Sequence, residues 1–507
     1  MTHARTSVVA AAAPSVERWG RYAGWSLPLS MALLGGALLL LFMSHRDLPM
    51  VDLPQHAAQI ATWWHWDHPD YRAGEYLDLN LRTPYLLAYG LARLLAPILG
   101  VVVALKLVIW LAVIATMIAF TTLAKKLDHD PWLGLLGLPV AFGYSFYFGF
   151  VSFVSATPLA IFCCVAALNH RGNPGLRSGV LLSALLCLTL VCHGVAFAIA
   201  GATAGVLLLG GGGAFWARLL PCAPPLALAA VWLPPGASMA RMGSDVWEVD
   251  AFRGLSLPAA IVGMDAADPV ALTLGSVLLV LCFLACGKLA RRPERWILLL
   301  VAVGGYCLFP ASLRGYGFMP GRFAAFVLPG IVLACSPRAT DAFSARGSAW
   351  LRGAMLAFVA GWLVLFGMRL AAFNQETAAF HRLIDRLPRG LRVRSIIYDR
   401  AGAAFPGMPL HLHLPAYYQA EKGGFLGHSF AIYPNSVLRL QKGIRSPIPP
   451  AGEWYPELFD AAVEAPRFDY VIVRSRSERA YELFASARVP VRLDAHYGDW
   501  WGYRLGG

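Results

Sequence analysis

Residues 26–56 read SLPLSMALLGGALLLLFMSHRDLPMVDLPQH, an apolar run followed at once by two Asp-x-Pro units. A helix needs about 20 apolar residues to cross the core of a bilayer, and residues 26–43 come close to that length. The run therefore predicts a spanning helix. The chain that leaves this helix presents Asp47 and Asp52 directly at the membrane face.

The composition of the whole chain agrees with a membrane protein. Of the 507 residues, 58% are hydrophobic and 14% are charged, whereas soluble domains carry about 25% charged residues. The formal net charge is +13. We attribute it to arginines that hold cytoplasmic loops beside an anionic leaflet, so we expect no nucleic-acid partner. All nine cysteines lie in apolar segments, which predicts packing rather than disulfide or zinc chemistry.

The same length criterion predicts a polytopic α-helical membrane protein with about eleven transmembrane helices, within a transmembrane domain over residues 26–373. The candidate spans are 26–43, 101–123, 132–149, 152–169, 178–194, 196–212, 217–234, 270–287, 296–311, 323–336 and 350–371. One further apolar run, residues 83–100, contains Arg93 and starts at a proline. We interpret it as an amphipathic helix in the outer interface, because a span there would reverse the side of every later loop.

Lysine and arginine cluster in alternate connections, which sets the orientation. The connections AKKLDHD, NHRGNPGLR and GKLARRPERW are predicted to be cytoplasmic, together with the N-terminal segment 1–25. The first outward loop, residues 44–100, and the later outward loops hold most of the acidic residues. An odd number of spans then places the C-terminus outside the cytoplasm.

The composition changes after the last span, where apolar runs shorten to strand length and charges return. The stretches VRSIIYD (393–399) and FDYVIVRS (468–475) are typical of buried strands, and residues 477–489 are typical of a helix between strands. We therefore predict that residues 374–507 form a small C-terminal α/β domain in the extracytoplasmic space.

The two aspartates after the first span each have two interpretations. A carboxylate before x-Pro is a good helix N-cap, and this is the structural interpretation of both Asp47 and Asp52. However, His56 lies one turn after Asp52 on the same helix face. This pairing favours a functional site at Asp52, with Asp47 as a further candidate. His56 would orient the carboxylate or help to hold a divalent cation, unless it is simply an interface residue.

Arginines lie next to the same membrane face. Arg82 precedes a Thr-Pro step in the first outward loop, and the last outward loop, ASLRGYGFMPGRFAAF, holds Arg314 and Arg322. A guanidinium stays charged and donates through a planar fork that suits phosphate. We predict that these arginines bind a phosphorylated lipid head group opposite Asp52. Arg322 opens a span, so a side chain that snorkels to water is the other interpretation.

Together these pieces resemble the GT-C-type, polyprenyl-phosphate-sugar-dependent glycosyltransferases, especially the aminoarabinose-transferase and protein O-mannosyltransferase branch. The matching stretches are DLPQHAAQ, LRTPYLLAYGLARLLAPILG and GVVVALKL. The stretches DLPQH and FYFGFVSFVSATPLAI also resemble uncharacterised bacterial GT-C-like membrane proteins. The resemblance runs from residue 26 to about residue 170 and covers the later spans by topology only. It implies a GT-C-like transmembrane domain in the bacterial inner (plasma) membrane.

The resemblance also implies an activity. It implies inverting transfer of a sugar from a polyprenyl-phosphate donor to an extracytoplasmic acceptor, which is a glycan, a lipid or a protein. Asp52 takes the place of the family's catalytic aspartate, and Arg82 stands where the family usually has a lysine on the donor phosphate. Two positions depart from the pattern: Leu53 stands where the branch often has an acid, and Thr83 replaces the first of two prolines.

The remaining histidines and the alternative functions stay open. His193 ends the fifth predicted span, where it either reaches the same site or caps a helix end. His411 and His413 alternate on a predicted strand, and two ligands without a third predict a structural role rather than a metal site. The alternative function is a non-catalytic membrane protein that binds or transports a lipid or sugar, or that holds a lipid carrier for a partner.

Overall fold

The computed structural model describes residues 15–212, 214–232, 246–247, 253–263, 268–313, 316–337 and 345–506 of the chain. For residues 15–25 and 345 it describes the backbone alone. Arg314, one of the three predicted phosphate ligands, lies outside the described residues, as do residues 1–14 of the predicted cytoplasmic segment.

The described part of the chain is mostly helical. Its α-helices are α1 (Ser15–Ser44), α2 (Leu53–Trp64), α3 (Ala73–Tyr76), α4 (Leu86–Leu99), α5 (Val101–Lys126), α6 (Gly137–Ala141), α7 (Tyr144–Tyr147), α8 (Val151–Gly172), α9 (Leu176–Cys192), α10 (Gly194–Leu209), α11 (Phe215–Leu219), α12 (Ala223–Trp232), α13 (Leu257–Val262), α14 (Pro269–Ala285), α15 (Ile297–Leu308), α16 (Met319–Phe323), α17 (Val327–Ala334), α18 (Ala345–Asp385), α19 (Ala416–Lys422), α20 (Ala461–Glu464) and α21 (Ala480–Phe484). The strands of the described residues are β1 (Leu77–Leu79), β2 (Ser312–Leu313), β3 (Tyr316–Gly317), β4 (Arg392–Ile397), β5 (Phe425–Leu426), β6 (Leu438–Leu440), β7 (Tyr470–Arg474), β8 (Val491–Tyr497) and β9 (Trp500–Leu505).

Within the described residues, five helices are long and apolar enough to cross a membrane. They are Ser26–Ser44, Val101–Lys126, Val151–Gly172, Phe215–Trp232 and Arg346–Asp385. Shorter apolar helices, including α9, α10 and α14, lie at other predicted spans. The exact number of eleven spans stays a prediction.

The prediction of one continuous helix over residues 132–149 is wrong. A 3-10 helix (Pro131–Leu136) leads into α6, and a break separates α6 from α7. Pro139 supplies no backbone N–H for a helix that continues, and the backbone at Gly143 is extended, with ψ at −178°. The segment is therefore a series of short buried helices. The turn after α7 contacts the first loop.

α8 lies at the centre of the helical bundle. Within the protein, 78% of its spanning window is buried, against 28% for α1. α8 packs on α5, α9 and α10. In contrast, α1 leaves Leu29, Leu33 and Leu40 exposed, as expected of a peripheral helix that faces lipid.

The C-terminal residues hold a five-stranded sheet in the order β5-β4-β7-β9-β8. β4 and β7, the two predicted strands, pair in parallel from Val393 with Tyr470 to Ile397 with Arg474. β9 then adds antiparallel to β7, and β8 adds antiparallel to β9. The helix predicted at 477–489 is limited to α21. The role of residues 374–507 as a separate extracytoplasmic domain stays a prediction, and α18 runs unbroken across the proposed boundary.

The first loop (residues 44–100) and the C-terminal part of the chain pack against each other. β1 from the loop pairs antiparallel with β6, so that Leu77 lies opposite Leu440. α2 packs on α19, and the Gln55 side chain donates to the carbonyl of His428 at 3.0 Å. A segment of residues 411–454, hereafter the covering segment, thereby lies over α2.

A tight turn at Gly149 fixes the start of α2. The N–H groups of Val51 and Asp52 donate to the carbonyls of Tyr147 and Phe148 at 2.9 and 3.1 Å. Gly149 follows with φ at +82°, in the left-handed region that favours glycine. A Cβ atom at Gly149 would lie 2.5 Å from the backbone nitrogen of Asp52. The contact is possible only because residue 149 has no side chain.

We expect Gly149→Ala to destabilise the protein by about 1–3 kcal/mol, since alanine disfavours this φ and its methyl group meets the backbone of Asp52. The measurement is the melting temperature of the purified protein in detergent. Gly90→Ala is the matched control, because a Cβ atom at Gly90 meets nothing within 4 Å and alanine favours the helix there. Equal melting temperatures for the two variants would contradict the account.

Candidate active site

A cavity of about 440 Å³ lies between the first loop, the turn before α8 and the covering segment. The first loop contributes Asp52 and His56 to its wall, and the last turn of α16 contributes Arg322. The covering segment contributes His413 and Glu453. Parts of the chain that are far apart in sequence therefore form one site with charged and apolar walls.

Asp52 does not act as a helix cap. It occupies the N-cap position of α2, but its side chain makes no capping hydrogen bond. Its Oδ1 instead accepts a hydrogen bond from Nδ1 of His413 at 3.0 Å. Only 14% of the Asp52 side chain is exposed, and it faces the cavity. The interpretation of Asp52 as merely an N-cap is therefore wrong.

His413 is the residue that sequence reasoning missed. The predicted strand at 411–415 is absent, and the two histidines of this segment have different partners: Nε2 of His411 lies 3.4 Å from Glu376, whereas His413 binds Asp52. The Nε2 atom of His413 is buried and has no partner within the described residues. The purely structural role predicted for His413 does not account for its position on the cavity wall. The only signal in the sequence is the HLHLP stretch, and it does not indicate that His413 contacts Asp52, which lies 361 residues away.

A second histidine extends this contact. The rings of His413 and His428 stack with centroids 5.2 Å apart, and Nδ1 of His428 lies 3.4 Å from Oε2 of Glu453. Burial, with the charges of His413 and Arg394, holds the pKa of His428 well below its usual value. Burial also raises the pKa of Glu453. The second pair is thus an uncharged histidine beside a carboxyl group that resists ionisation.

His56 is held by two other groups. The Tyr89 hydroxyl donates to Nδ1 of His56 at 2.5 Å, and Nε2–H of His56 donates to the carbonyl of Gly149 at 3.0 Å. Both ring nitrogens are therefore used. Burial lowers the pKa of His56 to about 4, so the ring is neutral at ordinary pH. His56 supports the turn at Gly149 rather than presenting a free nitrogen to a metal ion or to Asp52.

Arg322 offers a cation to the cavity. Its Nη1 donates to the carbonyls of Gly317 and Phe318 at 3.0 Å each, and its guanidinium carbon lies 4.1 Å from the centroid of the Phe150 ring. Its Nε is buried without a hydrogen-bond partner within the described residues. These contacts fix the side chain and leave part of the guanidinium fork for a ligand.

The other predicted site residues have different surroundings. Arg82 is exposed and is not part of the cavity wall. His193 lines the cavity and also caps α10, where its Nδ1 accepts from the N–H of Val195 at 3.2 Å. Both interpretations of His193 therefore apply.

Asp47 is buried away from the cavity, where Nε2–H of His381 donates to its Oδ2 at 2.7 Å. Burial acts to raise the pKa of Asp47, but the hydrogen bond and the charge of His381 hold it below its usual value. The Asn374 amide also bridges the backbone N–H and carbonyl of Asp47. Asp47 thus joins the first loop to α18 and is not part of the candidate site.

The divalent cation stays a prediction. Within the described residues, no group of three or more histidine, cysteine, aspartate or glutamate side chains is placed to hold a metal ion.

Solved structures of two glycosyltransferases share this fold. ArnT from Cupriavidus metallidurans bound to undecaprenyl phosphate aligns with a TM-score of 0.57 and 12% identity, over 95% of this chain and 98% of that chain. ArnT in the apo state aligns over the same shares with a TM-score of 0.55 and 14% identity. The arabinofuranosyltransferase AftD from Mycobacteria aligns with a TM-score of 0.52 and 16% identity, over 94% of this chain and 40% of that chain.

No family model and no curated protein sequence matches the chain. The structural likeness shows that the chain shares the fold of ArnT and AftD, and five of its described helices are long and apolar enough to cross a membrane, as expected of an integral membrane protein. This confirms the resemblance seen in the sequence.

The low pKa of His56 predicts a pH dependence of stability. Between pH 6.5, the ordinary histidine pKa, and pH 4 the unfolded chain binds a proton at residue 56 that the folded chain does not, so acid favours unfolding. At pH 5 the loss from this residue is about 2 kcal/mol. His56→Gln should therefore show a smaller fall in melting temperature between pH 7.5 and pH 5 than the wild type. Equal falls would contradict the burial of a neutral imidazole.

Proposed function

We propose that this protein is a membrane glycosyltransferase that moves a sugar from a polyprenyl-phosphate donor to an acceptor outside the cytoplasm, with inversion. The observation that carries the proposal is the presence of the Asp52 carboxylate and the Arg322 guanidinium in the wall of one cavity. The GT-C-like fold supports it, since both similar proteins named above are glycosyltransferases and one holds undecaprenyl phosphate. The N-terminus would be cytoplasmic, and the cavity would open on the outer side of the bacterial inner membrane.

Asp52 acts as the general base in this proposal. An acceptor hydroxyl or amine attacks the anomeric carbon while Asp52 takes its proton, and the bond from that carbon to the phosphate oxygen breaks. The electron pair leaves with the polyprenyl phosphate, so no covalent enzyme intermediate is needed. General-base help of this kind contributes about 10²–10⁴-fold.

Arg322 stabilises the departing phosphate. The leaving group gains negative charge in the transition state, and a cation held in a fixed position in the cavity wall stabilises that charge. The guanidinium is held by two carbonyls and by the Phe150 ring, so it does not have to reorganise. Phe148, Phe318 and Trp454 form further parts of the wall and suit an apolar chain or the face of a sugar.

His413 is a positioning residue for Asp52. Its Nδ1–H occupies one carboxylate oxygen, which leaves the other oxygen free to accept the proton of the acceptor. The covering segment would thus complete a site whose other half lies in the first loop.

The alternative is a protein of the same fold that binds or transports a lipid or sugar without chemistry. Asp52→Asn separates the two proposals, because it keeps the size of the side chain and removes the base. It should lower sugar transfer in purified membranes at least about 100-fold. Binding of undecaprenyl phosphate, followed by native mass spectrometry, should be unchanged. Arg322→Gln should weaken that binding about 10-fold or more.

Arg82→Gln is the matched control for the phosphate assignment. The exposed side chain of Arg82 lies outside the cavity wall, so its loss should change undecaprenyl phosphate binding by no more than about twofold. Full transfer activity in Asp52→Asn would refute the proposal. A larger loss of undecaprenyl phosphate binding in Arg82→Gln than in Arg322→Gln would show that Arg82, and not Arg322, binds the phosphate.

The role of His413 gives a separate prediction. His413→Leu removes the donor to Asp52 and should lower kcat about 10-fold or more, with the donor KM nearly unchanged. His413→Asn places an amide N–H near the same position and should restore most of kcat. A purely structural role predicts equal loss in both variants, and that result would remove His413 from the mechanism.

A further inference from the structure

A second cleft lies beside the cavity, at the β1–β6 pair. Its volume is about 610 Å³, and its wall includes Arg439 from β6, followed by Lys442 and Arg445 from the next turn. All three side chains are exposed. The one acidic residue of the wall is Asp78, which lies opposite Arg439 across the strand pair. The cleft therefore carries a net positive charge.

The three cleft cations differ in their pairing from other arginines of the described C-terminal residues. Other arginines of the C-terminal part are paired: Arg392 lies 2.6 Å from Asp469, and Arg394 lies 2.7 Å from Glu464. Within the described residues, no carboxylate lies within 4.0 Å of the side-chain nitrogens of the three cleft cations. Three unpaired cations on one concave surface repel one another, and a ligand with negative charge relieves that repulsion.

The cleft and the cavity share a wall. Ile432 lines both of them, while Pro434 faces the cleft and Asn435 faces the cavity. This wall is fixed to the first loop, because the Thr83 hydroxyl donates to the carbonyl of Asn435. The Asn80 amide also donates to the carbonyls of Pro434 and Ser436. A molecule held in the cleft is thus separated from the cavity by this segment of the chain.

We propose that this cleft binds a phosphate group of the acceptor and so presents the acceptor's nucleophile to Asp52. The assignment of the bound molecule as the acceptor rests on the proposed function. The binding of phosphate rests on the residues of the cleft alone. Two guanidinium groups and an ammonium group suit a phosphate monoester, because guanidinium donates in a planar fork and ammonium supplies a compact charge. A neutral glycan would gain little binding energy from such a positively charged surface.

The test uses the full-length protein in detergent and compares two probes. Native mass spectrometry measures binding of dioleoyl phosphatidic acid against dioleoyl phosphatidylcholine, and calorimetry measures glucose 6-phosphate against glucose. The triple variant Arg439→Gln, Lys442→Gln, Arg445→Gln should bind at least one phosphate probe about 10-fold more weakly than the wild type. An effect on the lipid alone assigns the phosphate to a lipid-borne acceptor, and an effect on the sugar phosphate alone assigns it to a soluble one.

The control triple variant Arg476→Gln, Arg488→Gln, Arg492→Gln removes the same charge from the exposed surface of the sheet region. It should change binding by no more than about twofold. Equal effects of the two triple variants, or no effect of the cleft variant on either phosphate probe, would overturn the proposal. Asp52→Asn should bind the probes as the wild type does. The proposal for the cleft is therefore tested independently of the catalytic role of Asp52.

Discussion

The hydrogen bond between His413 and Asp52 is the contact on which the rest of the site depends. It joins two residues 361 positions apart and closes the covering segment over the first loop. The carboxylate can be held in this way because the backbone at Asp52 is itself fixed by the turn at Gly149. A charged group that is 14% exposed must have partners, and here the partner comes from the opposite end of the chain.

The electrostatics of the cavity depend on which groups around the Asp52–His413 contact carry charge. His56 and His428 are kept neutral by burial, so they add no charge to the site. Arg322 has carbonyl and ring contacts but no carboxylate within 4.0 Å among the described residues. A buried cation with no carboxylate in direct contact favours a ligand that brings negative charge. A base and such a cation in one apolar-walled cavity are what transfer from a phosphate leaving group requires.

The sequence predicts those parts of the molecule that depend on local pattern. Apolar length identified the membrane class, and short apolar runs of strand length identified β4 and β7. Local pattern also brought Asp52 and Arg322 into one hypothesis, because each lies at the outer end of a predicted span. It missed the contacts made at long range. Nothing near His413 specifies Asp52 as its partner, and nothing near Arg82 indicates that Asn80 and Thr83 are tied to the covering segment, with Arg82 left exposed. The break at Gly143 is not evident from the pattern because the surrounding run is uniformly apolar.

The central claim is that one cavity holds the phosphate at Arg322 and the base at Asp52. Its most direct test is a cryo-EM structure of the full chain with undecaprenyl phosphate bound. The account predicts phosphate density within hydrogen-bond distance of the Arg322 guanidinium, with the Asp52–His413 contact intact across the cavity. Phosphate density at another site, with Arg322 free of it, would contradict the account.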